Sequence, residues 1–228
     1  MRKYNWALGV LLIAFVWGCY GKLRVVGAQY PLHHRYVKAE HPPYDADIQE
    51  GDLIFQTSLS SQSKAIQLAT KSQYSHCGLI FKENGTCFVL EAVQPVKKTS
   101  LDKWIARGKN GHYVVKRLKN SKDILTEAAK SKMKQAGQAF LGKDYDYTFE
   151  WNDDRIYCSE LIWKVYKRGV GVEIGKLEKL KDFDLTSQAV KAKLKERYGN
   201  KIPYEEEVIS PKAVFESELL ETIKQNDK

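Results

Sequence analysis

The sequence predicts an α+β domain, on three observations. Two strand-type runs, Ser75–Phe81 and Cys87–Val93, flank Lys82-Glu83-Asn84-Gly85-Thr86, and Asn-Gly is the strongest short-range signal for a two-residue type I′ hairpin. Apolar residues recur at helical spacing over Asp123–Leu141 and Ile156–Tyr166. The 228 residues, 43% hydrophobic and 29% charged, are enough for one medium domain with a proper core plus extra segments.

Taken in order, residues 1–19 carry Arg2 and Lys3 and then an apolar run from Trp6 to Cys19. A basic start followed by a short apolar stretch reads as an export signal rather than a full membrane span. Val16-Trp17-Gly18-Cys19 resembles a bacterial lipobox, in which Cys19 would be lipidated; simple cleavage and an uncleaved anchor are the alternatives. All three place the domain outside the cytoplasm, in the cell envelope. Residues 20–47 hold Pro31, Pro42 and Pro43 without clean periodicity and read as a linker or N-terminal arm. His33, His34 and His41 lack the supporting cysteines or carboxylates of a metal site.

The domain proper is expected over residues 48–228. Gly51-Asp52-Leu53-Ile54-Phe55-Gln56 is a turn entering a strand, and Ser58–Lys71 a helix with a Ser-rich cap. The hairpin follows, then a capped short helix over Thr99–Ala106 and a strand over His112–Leu118. The helix over Asp123–Leu141 stops at Gly142. Asn152-Asp153-Asp154 supplies caps for the helix carrying Cys158, which ends near Gly169. Helical pieces are predicted over Ser187–Tyr198 and, behind Ser210 and Pro211, over Pro211–Ile223.

A net charge of +9 favours anionic partners such as wall polymers or lipid headgroups. The basic residues are dispersed, with no stripe interleaved with stacking aromatics, which argues against nucleic acid. Cys77 and Cys87 fall on opposite hairpin faces and out of register, so they do not pair, and no cysteine spacing indicates a disulfide framework or zinc.

The hairpin register places His76, Gly78, Ile80, Val89, Glu91 and Val93 on one face. Glu91 is then the diagonal neighbour of His76, within reach of a long side chain. A carboxylate aimed at an imidazole is the orienting half of a nucleophilic triad. Cys158 supplies a candidate nucleophile, because a helix start favours the thiolate and offers N–H groups to an oxyanion. It also sits with Leu161, Ile162 and Val165 on an apolar stripe, so a core cysteine fits the same spacing. Spacing alone does not bring Cys158 to His76.

Gly51-Asp52-Leu53-Ile54-Phe55, Ser75-His76-Cys77-Gly78, Glu91 and Tyr157-Cys158-Ser159-Glu160-Leu161-Ile162-Trp163 together resemble the permuted papain-like amidases of the YaeF/YiiX group, relatives of the NlpC-type wall peptidases. The order His, Glu, Cys is the reverse of ordinary papain-like enzymes and matches the permuted group. The resemblance implies a circularly permuted papain-like fold, with an antiparallel sheet packed against helices. It further implies a Cys158–His76–Glu91 triad acting on an amide of a small wall-derived peptide, or on an acyl-amide or ester. Tyr145, Tyr147 and Tyr157 would line the substrate cleft. No metal or other cofactor is implied. The rivals are a non-catalytic binding module that keeps the cleft, and a zinc site built from His76, Glu91 and Cys158.

Overall fold

A computed structural model of the chain describes residues 47–226. The signal segment with Cys19, His33, His34 and His41, and all but the last residue of the expected arm, lie outside the described residues. Among the described residues no helix is long and apolar enough to cross a membrane.

The elements run β1 (Leu53–Gln56), α1 (Ser63–Thr70), β2 (His76–Glu83), β3 (Thr86–Glu91), β4 (Lys97–Ser100), α2 (Leu101–Ala106) and β5 (Val114–Leu118). There follow α3 (Ser121–Ile124), α4 (Glu127–Gln138), β6 (Asp144–Tyr145), β7 (Arg155–Ile156) and α5 (Cys158–Val170). The chain finishes with β8 (Glu178–Lys179), α6 (Gln188–Tyr198), β9 (Glu207–Val208), α7 (Pro211–Phe215) and β10 (Leu220–Gln225). Six strands form one sheet in the order β10-β5-β1-β2-β3-β4, and every neighbouring pair is antiparallel.

The β2–β3 turn is the two-residue one, with Asn84 and Gly85 both at positive φ (50° and 79°). Glu83 faces Thr86 and Ile80 faces Val89. Because side chains alternate along each strand, the sheet has two apolar faces. Leu53, Phe55, Cys77, Leu79, Phe81 and Leu90 pack under α4 and α5, with Met133, Leu161, Ile162 and Val165. Ile54, Ile80, Cys87 and Val89 pack on the other side with Leu101 and Trp104 of α2. The cysteine helix therefore covers one face of the hairpin, while the Glu91 side of it meets α2.

Several sequence expectations are corrected. The helix read over Ser58–Lys71 begins only at Ser63, behind Gln62, which makes no side-chain cap bond. Ser58, Ser63 and Ser75 hydroxyls are engaged instead in the β1–α1 corner, where Ser63 and Ser75 share a 2.7 Å bond. Thr99 and Ser100 belong to a short strand, β4, because Val89 pairs with Thr99 and Phe88 with Ser100. The single helix over Asp123–Leu141 is two, broken at Leu125, with Thr126 capping the second through Ala129 N–H. The helix read over Pro211–Ile223 ends at Phe215, and Leu220–Gln225 forms the edge strand beside β5. Capping of α7 by Ser210 and of α6 by Ser187 matches the sequence reading.

Candidate active site

His76 opens β2, paired with Gln56 of β1. Its Nε2–H donates to Glu91 Oε2 at 2.7 Å, across the strand pair and over Gly78. A Cβ at Gly78 would lie 2.2 Å from Val89 Cγ1 and 3.1 Å from the Leu90 carbonyl. The missing side chain is what lets β3 bring Glu91 this close.

Glu91 is 0% exposed, and its second oxygen is also bonded. Thr99 Oγ1–H donates to Oε1 at 2.6 Å and Arg107 Nη2 at 2.5 Å. A buried carboxylate needs such partners to stay ionised. Burial pushes its pKa up, but His76, Arg107 and Thr99 together hold it down at about 2. The His76 ring also stacks on Trp104, centroids 5.7 Å apart at 22°. Carboxylate and indole thus fix the ring, leaving Nδ1 as the nitrogen for another partner.

That partner is Cys158, at the first position of α5. The His76 ring and the thiol and backbone of Cys77 all act on its thiol. Cys77, followed by His76, holds the Cys158 pKa well below the ordinary thiol value despite burial. Burial pushes His76 down, yet the bonds and charges of Cys158 and Glu91 raise it to about 9. Both shifts favour a thiolate–imidazolium pair. The first-turn N–H groups of α5 have no acceptor within the helix, so they face whatever approaches Cys158.

The flanking residues of the cysteine motif anchor α5. Its N-cap is Tyr157, not one of Asn152, Asp153 or Asp154, because the short strand β7 intervenes. Asp153 instead pairs with Arg168 and Lys164. The Ile209 N–H donates to the Tyr157 hydroxyl at 3.0 Å, and Ser159 Oγ–H donates to the Ile209 carbonyl at 2.7 Å. Buried Glu160 pairs with Lys164 at 2.7 Å. The Gly51-Asp52 motif is likewise structural: both Asp52 oxygens accept from Arg117 at 2.7 Å.

Two spaces meet at the site. A cleft of about 550 Å³ is lined by His76, Gln56, Ser75, Arg107 and Tyr147. An apolar chamber of about 100 Å³, lined by Cys158, Tyr157, Leu180, Leu194 and Ile209, adjoins it. Gln62 and Tyr145 line both. Arg197 donates to Gln62 Oε1 at 2.6 Å and Gln62 Nε2 donates to the Tyr145 hydroxyl at 2.9 Å. These two side chains form the wall between the imidazole and thiol sides.

Of the tyrosines expected at the cleft, Tyr147 is 51% exposed on its rim and Tyr145 stands in the dividing wall, with ring centroids 5.0 Å apart. Tyr157 is buried on the chamber side with its hydroxyl engaged. Sequence reasoning did not single out Arg107, Thr99, Trp104, Gln62 or Cys77. The pairing of β4 with β3 carries Thr99 to Glu91, and the rest come by tertiary packing that has no local signature. Among the described residues there is no group of three or more His, Cys, Asp or Glu arranged to hold a metal ion; Glu91 is committed to His76, Thr99 and Arg107 rather than turned toward a shared centre.

Residues 47–224 match the family described as permuted papain-like amidase enzymes, YaeF/YiiX, C92 family. The chain is 51% identical over 182 residues to a protein of Escherichia coli K12 described as uncharacterized protein YiiX, covering 80% of this chain and 89% of that protein. It is also similar to the crystal structure of metalloprotein YiiX from Escherichia coli O157:H7. There the identity is 51% and the TM-score 0.76, over 79% of this chain and 98% of that one.

Proposed function

Because the chain belongs to the permuted papain-like amidases of the YaeF/YiiX group and is a cysteine hydrolase of that family, we propose that Cys158, His76 and Glu91 are its catalytic triad. The observation that carries this is the 2.7 Å bond from His76 to Glu91, with the same imidazole acting on the Cys158 thiol at the start of α5. The thiolate attacks the carbonyl carbon of an amide, and the carbonyl electrons move onto oxygen. First-turn amides of α5, including that of Cys158, steady the oxyanion. Imidazolium His76 gives its Nδ1 proton to the leaving nitrogen as the C–N bond breaks, forming the acyl-enzyme. Water, deprotonated by the now neutral His76, releases the acid. Glu91 keeps the ring oriented and steadies its charge throughout.

The substrate we propose is a small peptide amide of the peptidoglycan type, held in the cleft beside Tyr147. A second reading, hydrolysis or transfer of an aliphatic N-acyl amide or ester, is favoured by the apolar chamber at Cys158. We place the protein in the cell envelope, delivered by residues 1–19 and tethered through Cys19. The test of the chemistry is one panel of wall-type peptides and acyl-amides offered to the native protein and Cys158→Ser. Turnover of peptides alone supports the first reading and turnover of acyl-amides alone the second. No turnover of either, or turnover surviving in Cys158→Ser, overturns the triad. Fractionation of native and Cys19→Ser chains tests the tether.

A further inference from the structure

Arg107, at the end of α2, faces two ways. Its Nη2 donates to Glu91 Oε1 at 2.5 Å, while His76 Nε2 holds Oε2 of the same carboxylate. Yet its side chain is 43% exposed and lines the cleft of about 550 Å³ together with His76. Glu91 is its one hydrogen-bonded partner among the described residues, so the remaining N–H donors of the guanidinium are open to whatever fills the cleft. Among the described residues no aspartate or glutamate lines that cleft, and Arg107 is its only side chain with a permanent charge.

The backbone around Arg107 is tied down on both sides. Arg107 N–H donates to the Trp104 carbonyl and Gly108 N–H to the Ile105 carbonyl, closing α2. Lys109 N–H donates to the Thr57 carbonyl at 2.9 Å, and Ser58 bridges Gly108, which stitches the turn to the end of β1. Gln56, the strand partner of His76, packs so closely on Gly108 that a Cβ there would lie 2.2 Å from Gln56 Oε1. The cation is therefore held beside the imidazole before any ligand arrives.

We propose that Arg107 receives the carboxylate of an amino acid on the leaving side of the scissile amide. The substrate class is then an N-acylated amino acid, or a peptide cut at its last residue, and hydrolysis yields a carboxylic acid and a free amino acid. The inference rests on the Cys158–His76–Glu91 reading and deepens it on the leaving side. His76 protonates the leaving nitrogen, and Arg107 stands beside His76 because both hold Glu91. In an amino acid a single carbon separates that nitrogen from the carboxylate, so the anion falls toward the cation. The planar guanidinium matches the two carboxylate oxygens. A carboxamide of the same shape brings no charge to meet it. The acyl side stays free for a wall-type peptide or an aliphatic chain, since Arg107 reads only what leaves.

The test uses N-acetylglycine as probe, with N-acetylglycinamide as its uncharged twin and acetate as a simple anion. Each is added to the full chain at neutral pH and constant ionic strength, and the rate of iodoacetamide labelling of Cys158 is followed by mass. N-acetylglycine should protect at concentrations about tenfold lower than the other two. In Arg107→Ala that preference should fall to near one, and Arg107→Lys should keep part of it. Equal protection by the acid and its amide, protection by acetate as strong as by N-acetylglycine, or a preference that survives Arg107→Ala overturns the proposal. The native comparison needs no variant to fold. If Cys158 labels no faster than Cys77 or Cys87 before any probe is added, the triad reading falls and takes this inference with it. Fast labelling without a preference for the acid overturns the inference alone.

Discussion

Glu91 and His76 stand diagonally across β2 and β3, joined at 2.7 Å over the space that Gly78 leaves empty. With the Trp104 stack this bond orients the imidazole, and together with Cys158 it raises its pKa.

Glu91→Gln removes the charge that steadies imidazolium while keeping the shape. By analogy with loss of a triad carboxylate elsewhere, kcat should fall by ~10²–10⁴-fold, with the alkaline limb of the pH profile moving to lower pH. Steady-state rates on the substrate found by the panel check both. An unmoved limb would show that Glu91 does not tune His76.

Arg107 reaches the other oxygen of Glu91 from a half-exposed position. Exposed ion pairs are worth little, so Arg107→Ala should cost less than Glu91→Gln, on the order of tenfold in kcat/KM. Arg107→Lys, which keeps the charge, should recover part of it. Equal losses in Arg107→Ala and Arg107→Lys would point to the guanidinium fork as the needed feature.

Gly78→Ala places a methyl 2.2 Å from Val89 Cγ1. Overpacking of this sort costs about 1–3 kcal/mol. Thermal unfolding should show the loss, and the folded fraction should also be slower because Glu91 is pushed from His76. Full activity in the folded fraction would mean that the strand pair relaxes without moving Glu91.

Gln62 and Tyr145 separate the cleft from the chamber. Gln62→Ala removes the bond to the Tyr145 hydroxyl, and alkylation of Cys158 by a bulky maleimide should speed up several-fold, with iodoacetamide less affected. Equal rates for both reagents in both proteins would show that the wall does not limit access.

Stability should carry the same signs. His76 has its pKa raised from 6.5 to about 9, so its contribution is complete below pH 6.5 and is lost as pH rises through about 9. Glu91 is lowered from 4.5 to about 2, so its contribution is complete above pH 4.5 and is lost as pH falls through about 2. Melting temperature against pH should decline on both flanks in the native protein, and the alkaline decline should shrink in His76→Ala.

The hairpin was legible because Asn84-Gly85 fixes a two-residue turn and the turn fixes the register, which in turn places Glu91 beside His76. The helix carrying Cys158 was legible from Cys158, Leu161, Ile162 and Val165 at helical spacing. The meeting of Cys158 with His76 was reached only through resemblance, since it depends on how α5 lies across β2. Some of the short elements were lost. Thr99 and Ser100 read as a helix start when they are strand, and Leu220–Gln225 continues an apparent helix pattern yet pairs with β5. Both take their state from a neighbouring strand rather than from their own periodicity. Arg107 and Trp104 belong to the site by packing alone.

The most direct measurement is iodoacetamide labelling of Cys158 across pH in the native protein and His76→Ala, with the modified cysteine identified by mass. The thiolate–imidazolium account predicts that Cys158 outpaces Cys77 and Cys87 with an apparent pKa well below the ~8.5 of an ordinary thiol. His76→Ala should abolish the advantage. A Cys158 that reacts no faster than Cys77, or only after unfolding, would contradict the account and leave the residue a core cysteine.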